Sequence, residues 1–558
     1  MTRTIIVGGV AGGMSAATRL RRLDETMEIV VLERGEHVSF ANCGLPYFVG
    51  GVIEDRSALL LQTPSSLRSR FALDVRIRHE AVSIDRATRT VLVRDLATGR
   101  ERAEPYDHLI LAPGAAPRAQ FPVASGAVPV VTLRTVPDVD RIDGALRSLR
   151  EPGRAIVVGA GFIGLEAVEN LVRRGLEVVL VQHGAQPLSP LDVEMAGPVV
   201  DELRRNGVAV RTRTEVVRIG ERTVHLDDGS ALDADLVIDA RGVRPDVHLA
   251  EQAGLDLGPS GGIVVDGWQR TSDPRILAVG DAVEKTDAVS GDPSLVTMAG
   301  LANRHGRSAA DTIALGTDEL DAAAPALGTA IIGVFDLTVA MLGWSERRLR
   351  AAGRAHRVVH THPSDHAGYY PGAERMAMKL LVSDEDDRIL GAQIVGGRGV
   401  DKRIDVLAVA MHAGLTASAL SRLELAYAPQ YGSAKDPINL LGYVAENTAE
   451  QRTGTIQWHE LDAALATGAH LIDVRSTDEH AAGAIPGSIN APLDTLRATL
   501  GSLPDGPLIV HCQVGQRGHT AARLLNQLGR DVRNLDGGYL TWTAGTRRTA
   551  VDSTAAAA

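Results

Sequence analysis

The stretch AIVVGAGFIG, residues 155–164, decides the fold of the central part of the chain. Its first four residues are apolar and predict a buried strand, and the turn that follows has Gly159, Gly161 and Gly164 ahead of a helix and a second strand. In such a turn the backbone amides can approach a pyrophosphate, and the helix N-terminus faces its negative charge. Residues 154–183 are therefore predicted to form a dinucleotide-binding βαβ unit.

A second unit of the same kind is predicted at residues 4–34. Gly8 and Gly13 are in place, but Val10 occupies the middle glycine position. Glu33 ends the second strand, where it can bind a pair of ribose hydroxyls. Two units imply two dinucleotides, and hydride transfer from a nicotinamide to a flavin is the chemistry that uses both in one chain.

Further turns complete the predicted FAD and NAD(P)H sites. One buried strand runs into Gly114, and another ends at Gly280 and Asp281. The second βαβ unit ends in Gln182, where an NAD site usually has Asp or Glu, so the choice between NADH and NADPH stays open. The predicted cofactor-binding residues are Gly8, Gly9, Gly13, Glu33, Gly114, Gly159, Gly161, Gly164, Glu166, Gly280 and Asp281.

The bulk composition excludes several classes of protein. The 558 residues are 44% hydrophobic and 23% charged, with a formal net charge of −11, so nothing favours a nucleic-acid partner. No stretch approaches the roughly 18 apolar residues of a membrane helix, and the short Gly-rich apolar run at the start is unlike a signal peptide. A cytoplasmic protein without membrane or nucleic-acid partners is expected.

Cys43 lies in the segment SFANCGLPY, residues 39–47, the most specific signal in the chain. Only two cysteines occur, Cys43 and Cys512, and both precede helix-like segments, which favours retention for reactivity over chance burial. Pro46 suits the first turn of a helix, so Cys43 is expected near its positive end, where the pKa of a thiol falls. The thiolate is the form that attacks a disulfide or persulfide.

With the opening VGGVAGGMS, residues 7–15, this segment resembles the coenzyme A-disulfide reductase branch of the FAD-dependent pyridine nucleotide-disulfide oxidoreductases. The resemblance covers about residues 1–446, and valine at position 10 is usual in that branch. No second cysteine lies near Cys43, which excludes members with a Cys-x4-Cys pair. The partner sulfur must come from the substrate, as a mixed disulfide or persulfide, or oxygen must form a sulfenate.

The resemblance implies coenzyme A contacts at Ser15, Arg19, Arg22, Ser39 and Asn42. The spacing of the first three places them on one helix face, where the arginines could meet the phosphates of coenzyme A. A solvated basic face is the alternative interpretation.

Two tyrosine segments resemble the family's C-terminal active-site elements, which reach the partner subunit of a homodimer. YAPQY, residues 427–431, is followed by Lys435 as a candidate substrate contact, and YYPG spans residues 369–372. Tyr370 and Tyr427 are candidate proton donors to a leaving thiolate, with core tyrosines as the alternative. Three nearby histidines, at positions 360, 362 and 366, lack a metal-binding framework and indicate a surface strand, so no metal site is predicted.

The C-terminal part resembles a rhodanese domain through LIDVR (471–475), GAIPGSIN (483–490), HCQVGQR (511–517) and LDGGY (535–539). Cys512 joins a strand to a helix through a short loop whose amides can cradle a thiolate or persulfide. Arg517 follows at five residues, a shorter loop than that of cysteine phosphatases, which favours sulfur chemistry. Gln513 replaces a basic residue found in many rhodaneses, which argues against strong thiosulfate binding. An inactive docking domain is the alternative.

The predicted fold class is α/β, with two Rossmann-like nucleotide-binding domains, an α+β dimerisation domain and a C-terminal α/β rhodanese domain. The expected boundaries are 1–120 with 246–325 for FAD, 121–245 for NAD(P), 326–446 for dimerisation, 447–454 as a linker and 455–546 for the rhodanese. The Ala-rich tail after Asp552 is expected to be disordered.

The predicted function is NAD(P)H-dependent, FAD-dependent reduction of coenzyme A disulfide, coenzyme A persulfide or polysulfide through Cys43. The rhodanese would pass sulfane sulfur from Cys512 to coenzyme A or directly towards Cys43. Two alternatives stay open from the residues alone: an NADH oxidase or peroxidase that cycles a Cys43 sulfenate, and an NADH-responsive scaffold without catalysis.

Overall fold

The computed structural model describes residues 2–118, 121, 123, 126–149, 152–318 and 320–555, and side chains up to residue 546. The chain divides into two compact units, one formed by residues 1–183 and 213–328 and the other by residues 184–212 and 329–558. Among the described residues, none of the helices has the length and apolarity needed to cross a bilayer.

Both predicted βαβ units lie at the centre of parallel sheets in the first unit of the chain. The first sheet has five strands in the spatial order Ile276–Ala278, His108–Leu111, Arg3–Val7, Glu28–Glu33 and Asp74–Ile77. In the second sheet, this unit contributes Glu177–Gln182, Arg154–Val158, Leu236–Asp239 and Val130–Val131. The central strands are almost fully buried on both faces, which explains their continuous apolar runs.

Helices and small sheets complete the first unit. Its helices are Ala11–Leu23, Leu45–Val49, Pro64–Phe71, Val136–Ser148, Phe162–Arg173, His248–Gln252 and Ala299–Leu315, with 3-10 helices at Asn42–Gly44, Arg56–Leu59 and Gly280–Ala282. Two antiparallel three-stranded sheets contain His79–Asp85, Thr90–Asp95 and Glu101–Pro105, and Val216–Ile219, Thr223–Leu226 and Ala231–Asp233. Two-stranded pairs join Ala115–Pro117 to Val243–Pro245, and Lys285–Thr286 to Pro293–Ser294.

The second unit contains two more five-stranded sheets. The antiparallel sheet has the order Ala330–Val334, Leu337–Gly343, Ile389–Gly396, Ala377–Ser383 and His356–Thr361, so the last of these is an edge strand. The parallel sheet has the order Gly454–Ile456, Val532–Leu535, Leu508–His511, His470–Asp473 and Ile489–Asn490.

Helices cover both sheets of the second unit, which also contains the strand Ala209–Thr212. They are Val193–Arg205, Glu346–Ala351, Val400–His412, Pro437–Ala449, Leu461–Ala466, Thr477–Ala481, Gln516–Gln527 and Gly538–Ala555, with 3-10 helices at Ser418–Arg422, Trp458–Glu460 and Leu500–Ser502. A buried cluster of 19 apolar residues fixes the antiparallel sheet against its helices.

Three parts of the chain bear on the expected boundaries, and the domain bounds themselves stay predictions. Residues 184–212 of the predicted NAD(P)-binding domain fall in the second compact unit, where the helix Val193–Arg205 packs so closely that a Cβ on Gly197 would lie only 3.0 Å from the Ala544 carbonyl oxygen. The helix Pro437–Ala449 runs into the predicted linker and a strand begins at residue 454. The last helix continues through Asp552 to Ala555, so the expected disorder of these residues is wrong; residues 556–558 lie outside the described part.

Candidate active site

The two glycine-rich turns share one backbone geometry. Gly8 and Gly159 have φ angles of +105° and +103°, in the region that favours glycine. A Cβ on Gly13 would lie 1.9 Å from the Gly8 carbonyl oxygen, and a Cβ on Gly164 would lie 1.9 Å from that of Gly159. Glycine is therefore required at both ends of each turn, because the helix backbone packs directly on the strand end.

The middle position of each turn does not require glycine for its own conformation. Val10 has a φ of −114°, outside the left-handed region that favours glycine, so valine at this position needs no left-handed backbone. A Cβ on Gly161 would meet no described atom within 4 Å. This open space beside the turn fits the close approach of a pyrophosphate to backbone amides.

The residue at the end of the second strand is tied to each turn in the same way. Glu33 accepts hydrogen bonds from the Gly9 amide at 2.8 Å and the Gly35 amide at 2.7 Å. Gln182 accepts one from the Ala160 amide at 3.0 Å. The two side chains thus occupy corresponding positions, with a carboxylate at the first turn and a neutral amide at the second.

The turn at Gly280 carries a half-buried carboxylate, Asp281, and a buried cation, Lys285. Burial raises the pKa of Asp281, while Lys285 and Arg134 lower it. The Nζ of Lys285 donates to the carbonyl oxygens of Gly280 at 2.8 Å and Val283 at 2.7 Å, which holds the turn closed. Burial lowers the pKa of Lys285 to about 8.

Cys43 lies in the 3-10 helix Asn42–Gly44 and is exposed. Desolvation by the surrounding protein raises the pKa of its thiol, and the carboxylates of Glu166 and Asp281 raise it further. The prediction that the pKa of Cys43 is lowered is therefore wrong, because the surrounding protein groups raise it. The following helix, Leu45–Val49, has only five residues and a weak dipole, and the nearby charges are negative.

A carboxyl group with a pKa near neutrality acts on Cys43. Burial raises the pKa of Glu166 to about 7, although a hydrogen bond from the Tyr47 hydroxyl, 3.4 Å from Glu166 Oε1, lowers it. Burial and the charge of Glu166 raise the pKa of Tyr47 to about 12. A carboxyl that is half protonated near pH 7 can give or take a proton without a large free-energy cost.

The helix face predicted to bind coenzyme A is only partly free. Ser15 Oγ donates to Asn303 Oδ1 at 2.6 Å, and Arg19 Nε donates to Asp311 Oδ1 at 2.6 Å. Arg22 is exposed. The positive charge available to a phosphate on this face is therefore mainly that of Arg22, because Asp311 offsets Arg19.

Ser39 and Asn42 flank the Cys43 segment from two sides. The Ser39 amide donates to the Gly9 carbonyl oxygen at 2.8 Å, and the residue adopts a φ of +48°. Asn42 Nδ2 donates to the Arg134 carbonyl oxygen at 3.1 Å. The first contact ties the segment to the glycine-rich turn at Gly8–Gly13, and the second ties it to the chain just before the helix Val136–Ser148.

In the second unit, exposed tyrosines gather near Tyr427. The hydroxyl oxygens of Tyr369 and Tyr427 lie 2.7 Å apart, and these side chains are 76% and 48% exposed. Tyr370 is also exposed and stacks edge-on against His366, so the core-tyrosine alternative is wrong. The hydroxyl partner of Tyr427 is thus Tyr369, a residue not among the predicted site residues, and Lys435 is exposed.

The histidines expected on a surface strand are not on the surface. His360 and His366 are buried, and each pairs through Nδ1 with a carboxylate at 2.7 Å: Asp536 for His360 and Asp365 for His366. These carboxylates compensate the cost of burying an imidazole, and they come from outside the strand.

The rhodanese-like loop has a buried cysteine. Cys512 follows the strand Leu508–His511, and the helix Gln516–Gln527 begins after Gly515, which has a φ of +92°. Arg517 on this helix donates to both oxygens of Glu479, at 2.7 and 2.6 Å. A thiol at a strand end before a helix matches the predicted placement of Cys512.

A buried ion pair supports the loop from below. Arg475 donates to Asp473 Oδ2 at 2.6 Å and to the Gln513 side chain at 3.2 Å. Its guanidinium lies 4.3 Å from the centroid of the Tyr539 ring. Gln513 therefore takes part in the buried network as a neutral acceptor.

Three family matches cover most of the chain. Residues 2–302 match the model described as pyridine nucleotide-disulphide oxidoreductase, residues 329–436 match the dimerisation domain of that family, and residues 457–545 match the rhodanese-like domain. The chain belongs to the pyridine nucleotide-disulphide oxidoreductase family. Members of this family use FAD and NAD(P)H.

Several known proteins resemble this family member over most of their length. The coenzyme A disulfide reductase of Staphylococcus aureus strain bovine RF122 / ET3-1 is 34% identical over 446 residues, 80% of this chain and all of that protein. The crystal structure of reduced Bacillus anthracis CoADR-RHD has a TM-score of 0.95 at 44% identity and covers 98% of both chains. The NAD-dependent persulfide reductase from A. fulgidus has a TM-score of 0.89 at 35% identity, over 97% of this chain and 100% of that one.

The oxidase alternative has weaker support. The water-forming NADH oxidase from Lactobacillus brevis has a TM-score of 0.76 but only 22% identity, over 81% of this chain and 99% of that one, which shows a shared fold alone.

Sequence reasoning missed several residues that contact the candidate site residues of the two domains. Tyr47 ends the quoted Cys43 segment, and Glu479 follows the DVR motif by four residues, so both lay within reach of motif analysis. Lys285, Asn303 and Asp311 stand in no recognisable pattern, and only the fold brings them to their partners.

Glu166→Gln is expected to lower the pKa of Cys43, because it removes a carboxylate that raises it. The effect should appear above about pH 7, where the Glu166 carboxyl is charged. Alkylation of Cys43 by iodoacetamide against pH, in a Cys512→Ser background, measures this pKa. Glu177→Gln, which removes an exposed carboxylate paired with Arg154, is the control; an equal response from both variants would contradict the assignment.

Alanine at Gly161 and at Gly164 should have different effects. Gly164→Ala should destabilise the protein by about 1–3 kcal/mol, because its Cβ would overlap the Gly159 carbonyl oxygen. Gly161→Ala should fold normally but bind NAD(P)H about tenfold more weakly or worse, because the Cβ fills the space beside the turn. Denaturant unfolding and fluorescence titration with NADH and NADPH distinguish the two effects; wild-type affinity in Gly161→Ala would count against a nucleotide at this turn.

Proposed function

We propose that this chain uses NAD(P)H and FAD to reduce the sulfur–sulfur bond of coenzyme A disulfide, coenzyme A persulfide or polysulfide through Cys43. The exposed Cys43 thiol beside the Glu166 carboxyl is the observation that carries the proposal. The only other cysteine, Cys512, belongs to the rhodanese-like segment, so the partner sulfur is that of the substrate.

The nucleotide turns divide the cofactors between them. The turn from Gly8 to Gly13, with Glu33, would hold FAD, and the turn from Gly159 to Gly164 would hold NAD(P)H. Gly9, Gly114, Gly280 and Asp281 would complete the FAD site. Bound FAD supplies the electron pair that NAD(P)H delivers.

The residues of the chain would perform the sulfur chemistry in two stages. The Cys43 thiolate attacks one sulfur of the substrate, a Cys43–sulfur bond forms, and the other sulfur leaves as a thiolate. Glu166, with a pKa of about 7, can protonate that leaving thiolate, and its contact with Tyr47 holds it in place. Two-electron reduction of the new Cys43–sulfur bond would restore the Cys43 thiolate and release the second sulfur, which leaves as a thiol or hydrosulfide once it is protonated.

Cys512 would accept sulfane sulfur in the rhodanese-like domain, with Arg517 as its cationic neighbour. The sulfur would pass to coenzyme A or directly towards Cys43. Joining both modules in one chain raises the concentration of one site at the other.

The active form is proposed to be a homodimer in the cytoplasm. The dimerisation-domain match and the exposed tyrosines at 369, 370 and 427 support a shared interface. Tyr370, Tyr427 and Lys435 would then reach the partner's substrate, and Ser15, Arg19, Arg22, Ser39 and Asn42 would contact coenzyme A. The cytoplasm supplies NAD(P)H and keeps the two thiols reduced.

Cys43→Ser is expected to lower NAD(P)H consumption with coenzyme A disulfide or persulfide to below about 1% of wild type, because the nucleophile is lost. Sulfur transfer to cyanide should persist. Cys512→Ser should give the reverse pattern. Anaerobic stopped-flow spectroscopy follows the first activity and thiocyanate formation the second.

Loss of both activities in either variant, or of neither, would contradict this division of labour. Faster NADH consumption with oxygen or peroxide alone than with any sulfur substrate would favour the sulfenate-cycling alternative.

A further inference from the structure

The loop that carries Cys512 rests on the start of the last helix. The carbonyl oxygens of Cys512 and Gln513 accept hydrogen bonds from the amides of Tyr539 at 2.8 Å and Leu540 at 3.1 Å. These two bonds tie the loop, whose amides are the predicted anion cradle, to the start of the helix. The position of the cradle therefore depends on the position of this helix start.

Two glycines bring the helix start into contact with the loop. Gly537 and Gly538 have φ angles of +65° and +63°. A Cβ on Gly538 would lie 2.4 Å from the Cys512 carbonyl oxygen and 2.8 Å from the Gly515 amide nitrogen. The loop and the glycine turn are packed backbone to backbone, so a shift of the turn is transmitted to the loop.

Asp536, directly before this turn, is held by the dimerisation domain. Its Oδ2 accepts from the His360 amide at 3.0 Å and lies 2.7 Å from His360 Nδ1. His360 is on the edge strand His356–Thr361, so its amide is free to pair outside the sheet. A Cβ on Gly537 would lie 2.8 Å from the His360 Cβ, which shows how closely the two modules pack.

The other side of His360 is anchored by a buried charge network. Its Nε2 lies 3.1 Å from Glu194 Oε1, and Lys379 Nζ lies 2.5 Å from that oxygen, 2.6 Å from Glu346 and 3.0 Å from Asp192. The three carboxylates are close enough to suggest a metal site, but the Lys379 ammonium occupies their centre.

His360 can donate a hydrogen bond from each of its two ring nitrogens only when the ring is protonated, as an imidazolium. Burial lowers its pKa, but the hydrogen bonds and charges of Asp536 and Glu194 outweigh burial and raise the pKa to about 9. A charged imidazole between two carboxylates, with one of them tied to Lys379, is a rigid support for Asp536.

We propose that the dimerisation domain completes the sulfurtransferase site, with His360 as a positioning residue that, through Asp536, sets the glycine turn beneath the Cys512 loop. This inference rests on the proposed sulfur transfer at Cys512. Other contacts between the same two modules, such as Arg350 with His459, attach elsewhere on the rhodanese domain. His362 also reaches this region, because its Nε2 lies 2.8 Å from the hydroxyl of Thr541 beside Gly537, but Asp536 is the contact residue that directly precedes the Gly537–Gly538 turn.

The test compares Asp536→Ala and Asp536→Asn with the control His459→Ala in the full-length FAD-loaded protein. Alanine removes the acceptor and the charge, whereas asparagine keeps an acceptor for the His360 amide. His459 is exposed and contacts Arg350 away from the turn. Thiocyanate formation from a persulfide donor and cyanide gives kcat and KM, and NAD(P)H consumption with coenzyme A disulfide is measured on the same preparations.

Asp536→Ala should lower kcat for sulfur transfer by about 10- to 100-fold, because the amide donors lose their alignment, and Asp536→Asn should lower it less. KM should stay within about twofold, and NAD(P)H consumption and His459→Ala should match wild type. Wild-type kcat in both Asp536 variants would overturn the inference, and so would a parallel loss of NAD(P)H consumption, which would signal general misfolding. A wild-type protein that transfers no sulfur would overturn the proposed role of Cys512 and this inference with it.

Discussion

The chemistry depends on one constraint: the reductase part of the chain has a single cysteine, Cys43, and so no second thiol with which to form a disulfide. Cys43 is exposed, and the only other cysteine lies in the rhodanese-like domain. A disulfide needs a second sulfur, so each cycle must place a covalent bond between the protein and its substrate. The site therefore has to hold both a thiolate and the leaving sulfur, and the proton balance between them becomes decisive.

The carboxyl groups near Cys43 affect how readily the thiol loses its proton and where that proton can go. Glu166 and Asp281 raise the pKa of the thiol, and burial keeps the pKa of Glu166 near 7. Glu166, which titrates near neutrality, can therefore accept or supply a proton as one sulfur arrives and another leaves. Lys285, itself buried, holds the turn that carries Asp281, so the electrostatics and the backbone are coupled at this point.

The sequence predicted the features that depend on the spacing of residues close together in the chain. Gly13 and Gly164 could be assigned because a helix packed on a strand end leaves no room for a side chain, a condition contained in a few consecutive residues. Local motifs likewise predicted the family, its cofactor class and the rhodanese domain, and the family matches confirmed all three. The charge state of Cys43 was not predictable, since Glu166 and Asp281 approach it only through the fold. His360 was misplaced on a surface for the same reason: its partners, Asp536 and Glu194, come from distant segments.

The most direct test of the account is to trap the covalent bond at Cys43. Cys512→Ser protein is treated anaerobically with coenzyme A disulfide after partial reduction by NADH, and its peptides are examined by mass spectrometry. We expect one coenzyme A in disulfide linkage to Cys43 per chain, released as free coenzyme A when more NADH is added. An unmodified Cys43 in protein that still turns over coenzyme A disulfide would contradict the claim that this thiol bonds to the substrate.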